Sequence, residues 1–153
     1  MTLPILDLMV VTAKVGLKEL GQGTVLIDPL HTASLKVDAD GTIPVPEFAV
    51  YIQMRTEDAN GTFPMYLEVR DETNSVVIPN GRSSEENITF ESRYFPVMPF
   101  EHVFLMRGLI LPSPGIYHLH IMLRHTSLND MPHSAQPAIL RIVPHEKTFE
   151  AMP

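Results

Sequence analysis

In "EFAVYIQMR", residues 47–55, Phe48, Val50, Ile52 and Met54 alternate with Ala49, Tyr51, Gln53 and Arg55. The stretch "FPMYLEVRD" at 63–71 repeats the pattern, with Phe63, Met65, Leu67 and Val69 set against Tyr66, Glu68 and Arg70. In "GIYHLHIMLRH" at 115–125, Tyr117, Leu119, Ile121 and Leu123 alternate with His118, His120, Met122 and Arg124. Successive side chains of a strand point to opposite faces, so a period of two predicts half-buried strands of an antiparallel sheet. The apolar sets predict a core face that includes Val50, Ile52, Leu67, Val69, Leu119, Ile121 and Leu123. The other sets predict an outward face.

Further strands are expected near 5–13, 23–28, 33–37, 75–79, 86–92, 101–111 and 137–143. Fourteen prolines break almost every candidate helix. The segments "DADG" at 38–41, "EDANG" at 57–61 and "DETNS" at 71–75 carry turn chemistry. The last two bracket the 63–70 strand at hairpin spacing. Only "AKVGLKELG" at 13–21 has helical character, and its glycines fit a connection between strands at least as well. About ten short strands without a long helix predict an all-β fold, an antiparallel β-sandwich of immunoglobulin-like or jelly-roll-like type. The expected organisation is one domain over 1–145 and a C-terminal tail over 146–153. The least ordered parts are expected at 79–87, 127–137 and from 145 onward.

Composition narrows the function. A chain of 153 residues suits a single domain with a sizeable core. It contains no cysteine, which removes disulfides, thiolate metal sites and cysteine nucleophiles. The formal net charge is −7 and the eleven Lys and Arg are scattered. Nucleic acid needs a positive footprint, and an anionic membrane surface disfavours the same charge, so neither is an expected partner. No apolar run approaches the ~20 residues that span a bilayer. The segment "MTLPILDLMVV" lacks a basic n-region and holds Asp7, so it does not read as a signal peptide. The expected location is cytoplasmic.

The order of "GLKELGQGTVLID", "FAVYIQMR", "MYLEVRDETNSVVIP", "FLMRGLILPSPGIYHLHIML" and "PAILRIVP" resembles a family of small bacterial single-domain β-sandwich proteins of unknown function. Members of that family carry a "D-x-x-G" hairpin mid-chain and a "PG-x-Y" turn before a late strand. Here the hairpin is "DETNS", without the glycine. The resemblance implies the sandwich and transfers no catalytic residue.

Candidate chemistry is sparse. His118 and His120 share a strand face, and paired imidazoles grip zinc when a third ligand joins them. His102 or a carboxylate would have to supply it, while Arg124 adds a cation on the same face. A polar outer face without metal is the expectation. The "DADG" segment imitates the start of a calcium loop, but position 49 is Ala49 where the loop needs glutamate. No serine lies in Gly-x-Ser-x-Gly, and no phosphate-cradling glycine loop occurs. What remains is a surface of interface-prone residues: Tyr51, Gln53, Arg55, Tyr66, Arg70, His118, His120 and Arg124. The expected function is a non-catalytic binding module without cofactor. Its partner is a protein or a second copy of the chain, which makes a homo-oligomer. The alternatives are a carbohydrate-binding module, under-supplied with aromatics, and a metal-dependent enzyme using His118 and His120.

Overall fold

The computed structural model describes residues 3–13, 30–55, 61–90 and 100–145, together with the backbone of 17–20 and 24–27. The tail 146–153 and most of the "EDANG" turn lie outside the described residues. The protein is all-β, with antiparallel and mixed sheets, one of them curled into a half-barrel. Its strands are β1 (Ile5–Ala13), β2 (Leu17–Leu20), β3 (Thr24–Ile27), β4 (Thr32–Leu35), β5 (Ile43–Pro44), β6 (Phe48–Arg55) and β7 (Gly61–Arg70). They continue as β8 (Glu86–Phe90), β9 (Phe100–Met106), β10 (Ile110–Leu111), β11 (Gly115–Leu123), β12 (Thr126–Ser127) and β13 (Ala138–Pro144). A 3-10 turn at Leu128–Asp130 is the only helical element among the described residues.

One sheet has the order β1-β6-β9. The largest has the order β4-β13-β11-β7-β8, with β12 on the end of β11. All its pairings are antiparallel except β13 with β4. Two short ribbons, β2-β3 and β10-β5, complete the set. Val50 and Ile52 of the first sheet join Leu67, Val69, Leu119 and Ile121 of the second in one core cluster. Every residue of the expected core face is buried, Leu123 included. Burying such a side chain contributes about 1.5–3 kcal/mol.

Asn129 stitches the two sheets together. Strand β13 begins too late to pair with the end of β11, and the Asn129 Oδ1 accepts the freed Ile121 N–H at 2.8 Å. Its Nδ2 donates to the Ala135 carbonyl at 3.1 Å. The Ala135 N–H in turn donates to the Leu6 carbonyl on β1 at 2.6 Å. The segment 127–137, expected to be loosely held, is therefore anchored through the buried Leu128 and Asn129.

Several expectations need correction. β6 and β7 do not form a hairpin; they lie in different sheets, because each finds its partners elsewhere in the chain. The single strand expected at 101–111 divides into β9 and β10 where Gly108 turns the chain at φ +69°. The strand expected at 75–79 reduces to one bridge between Val76 and Arg70. Of the two readings left open for 13–21, helix or connection between strands, residues 17–20 take neither form and make strand β2, paired with β3. The "DADG" and "DETNS" turns form as expected: Gly41 N–H donates to the Asp38 carbonyl, and Asp71 N–H to the Ser75 carbonyl.

Leu119 is fully buried at the centre of β11. Its replacement by alanine is expected to cost about 2–5 kcal/mol in urea unfolding, the usual range for a leucine cavity.

Candidate functional site

Strand β11 runs between β7 and β13. Its register sets His118 opposite Arg70 and Ile139, His120 opposite Glu68, and Met122 opposite Tyr66. These side chains point away from the core, as the alternation predicts, but they are not equally wet. Glu68 is 2 % exposed and His120 3 %.

Glu68 is held by two arginines. Arg70 gives its Nε to Oε2 and Arg82 gives its Nε to Oε1, both at 2.8 Å. Burial pushes the Glu68 carboxyl up, but the hydrogen bonds from Arg82 and Arg70 and their charges outweigh it, so the group sits below its ordinary 4.5. Arg70 also reaches Asn74 Oδ1 at 3.2 Å and lies against the Met122 sulfur. His120 shares a hydrogen bond with the Ser127 hydroxyl through Nδ1 at 2.7 Å. Desolvation first, and then the nearby Arg70 charge, holds its imidazole below its ordinary 6.5.

Arg82 arrives on a segment that folds back along β7. Val77 N–H donates to the Val69 carbonyl, Val69 N–H to the Gly81 carbonyl, and Ser83 N–H to the Leu67 carbonyl. The Ser83 hydroxyl accepts from the Leu67 N–H at 2.8 Å. Gly81 is required there, because a Cβ would stand 2.2 Å from the Val77 carbonyl oxygen.

Beside this cluster opens a groove of about 420 Å³, lined by Tyr66, Arg82, Ser83, Glu85, Arg124 and His125. The Tyr66 hydroxyl donates to the Arg124 carbonyl at 2.8 Å and fixes the turn that ends β11.

The expected binding face is therefore two faces. Tyr51, Gln53 and Arg55 lie on β6, and Tyr66, Arg70, His118 and His120 on β7 and β11 of the other sheet. Both rows turn their backs on the common core, so they cannot form one surface. Tyr51 is buried, contrary to expectation; its hydroxyl donates to Glu101 and accepts from Gln53 Nε2. Arg55 is exposed and gives its Nε to Asp7. His120 is likewise a correction, buried and bonded to Ser127 rather than displayed. Arg124 does not continue the histidine face, since it stands in the turn after β11.

His102, one candidate for a third metal ligand beside a carboxylate, is on β9 in the other sheet and bonds Glu86 at 3.2 Å. Among the described residues no three His, Asp or Glu side chains come together as a metal site. Arg82, Ser127 and His125 escaped the sequence reading. The only cue for Arg82 was a Gly-Arg-Ser stretch read as a loose loop. No protein-family model matches the chain, and neither does any curated protein sequence.

Two outcomes follow from the cluster. A neutral buried His120 leaves stability flat above 6.5; below it the unfolded chain takes up a proton that the fold refuses, and stability falls until the folded pKa is passed. The variant His120→Gln is expected to flatten that part of a urea-midpoint profile. The depressed Glu68 contributes stability that is present above 4.5 and lost as pH falls below it. Glu68→Gln is expected to lose about 1.5–3 kcal/mol at neutral pH, the range for hydrogen bonds to a charged group. Arg82→Ala should cost less, because that side chain is 60 % exposed.

Proposed function

We propose that this chain is a non-catalytic binding module that takes a protein partner, a second copy of itself included, at the groove beside β7 and β11. One observation carries the reading. The groups capable of chemistry on this face are committed to each other, Glu68 to two arginines and His120 to Ser127. Of the residues that line the groove, Arg124 and His125 have no side-chain partner among the described residues. Glu68, His120 and Ser127 are all buried and none of them lines the groove, so they are poorly placed to meet a substrate there, whereas an open groove of mixed Tyr, Arg, Ser and His suits contact.

The two sheets sharing one core support a sandwich arrangement, the finer form of the fold that this reading adopts. The absence of cysteine fits a reducing compartment such as the cytoplasm. No helix among the described residues is long and apolar enough to cross a membrane.

Photo-cross-linking from position 125 tests the proposal. A photoreactive residue in place of His125 is expected to give a discrete protein adduct in the producing cell, with twice the chain mass if the partner is a second copy. The same probe in place of Asp40, outside the groove, is expected to give none. Adducts at Asp40 and none at His125 would overturn the reading.

A further inference from the structure

The turn that carries Arg124 is built against local preference. Leu123 and Thr126 pair directly, which leaves Arg124 and His125 as a two-residue loop between β11 and β12. Arg124 adopts φ +56°. Glycine, asparagine or aspartate normally takes such a position, because a Cβ crowds the backbone there. A residue other than glycine at a backbone position that disfavours it points to a role for its side chain.

Among the described residues that side chain has no carboxylate to hold. The acidic residues number 18 against 11 Lys and Arg. Arg55, Arg70, Arg82 and Arg107 each meet a carboxylate, at Asp7, Glu68, Glu68 and Glu47. Arg124 meets none among the described residues, and Arg141 is in the same position. Arg124 differs in lining a groove together with the exposed end of Arg82, whose Nε is already fixed on Glu68. One carboxylate, Glu85, lines the groove too, so the local excess of positive charge is small. A monoanion fits that balance better than a dianion, and a planar guanidinium pair matches a carboxylate in shape. A second groove of about 470 Å³ has Leu3, Phe63 and Leu123 in its wall and shares Arg124 and His125 with the first.

We propose that Arg82 and Arg124 bind a glutamate or aspartate side chain of an acidic protein segment, while the Leu3–Phe63–Leu123 groove takes a neighbouring apolar side chain. The inference rests on the binding-module reading and names what that module recognises. The two subsites share the Arg124–His125 turn, so one short segment reaches both.

The test uses the full chain with nitrogen-15 label and three probes: a blocked glutamate–phenylalanine dipeptide, its glutamine counterpart, and inorganic phosphate. The glutamate peptide is expected to shift the Arg82 and Arg124 Nε–H signals saturably, and more weakly as salt is added. The glutamine peptide is expected to leave them unmoved. Arg124→Gly is expected to weaken the glutamate peptide by about tenfold or more, as loss of a charged hydrogen bond does. The same variant should keep or raise the melting temperature, because glycine suits the φ of that turn. Equal binding of the glutamine peptide would overturn the proposal. Phosphate shifting both arginines as strongly as the peptide would overturn the protein-segment source in favour of a free-anion site. A lower melting temperature in Arg124→Gly with peptide binding intact would show that Arg124 serves the fold. Failure of every probe, with the cross-link from position 125 still formed, would remove this inference and leave the binding module standing.

Discussion

Taking a carboxylate out of water costs several kcal/mol unless its charge and lone pairs are met inside the fold. Glu68 is in that position at the middle of the largest sheet, and its cross-strand neighbour His120 cannot meet it, being held neutral by its own burial. Two arginines do so instead, one from its own strand and one from the returning segment. That segment cannot lift from β7 without stripping Glu68 of half its neutralisation. The bonds from Val69 to Gly81 and from Ser83 to Leu67 close the same seam. The wall of the groove that Arg82 supplies is thus a consequence of a buried charge fourteen residues away in sequence.

Alternation along β6, β7 and β11 told which side of a sheet each residue takes, because side-chain direction is a local property of the backbone. It did not tell how deep each side lies. His120 and Tyr51 were placed on the correct faces and expected in water, yet both are buried. Depth depends on what comes to rest on the sheet, and for His120 that is Ser127, delivered by a turn seven residues on. The burial pattern of β11 changes from alternating to continuous after Leu119, where β12 and the 3-10 turn approach. The sequence of the strand itself has no mark at that point.

Turns divide in the same way. Asp71 accepts the N–H groups of Thr73 and Ser75 on its own side chain, so the residues that make the turn lie next to each other and are legible as text. The pairing of strands is not legible, since β6 and β7 follow each other in sequence and separate into different sheets. Splitting them divided the expected face into two rows, and only the row on β7 and β11 borders the groove. Alternation makes Arg124 a polar position of a strand, whereas it stands in the turn after β11. Its left-handed φ, which makes it unusual, has no signature in residue type because arginine is the wrong residue for it.

A satisfied cluster beside an unsatisfied groove is a physical division of labour. Hydrogen bonds on Glu68 and His120 fix the platform, and the Tyr66 hydroxyl on the Arg124 carbonyl fixes the backbone of the turn. Arg82 is already immobilised at its Nε on Glu68, so part of the ordering cost of the proposed binding would be met in advance. The field of the whole chain acts in the opposite sense. A net charge of −7 repels an acidic partner at long range. At physiological salt that repulsion fades within about 8 Å, whereas two guanidinium groups at the groove act at contact. Recognition of an acidic segment would therefore owe little to steering and nearly everything to the geometry of the Arg82–Arg124 pair. With that repulsion screened, an acidic segment would be selected by its fit at contact rather than by the field that brings it there.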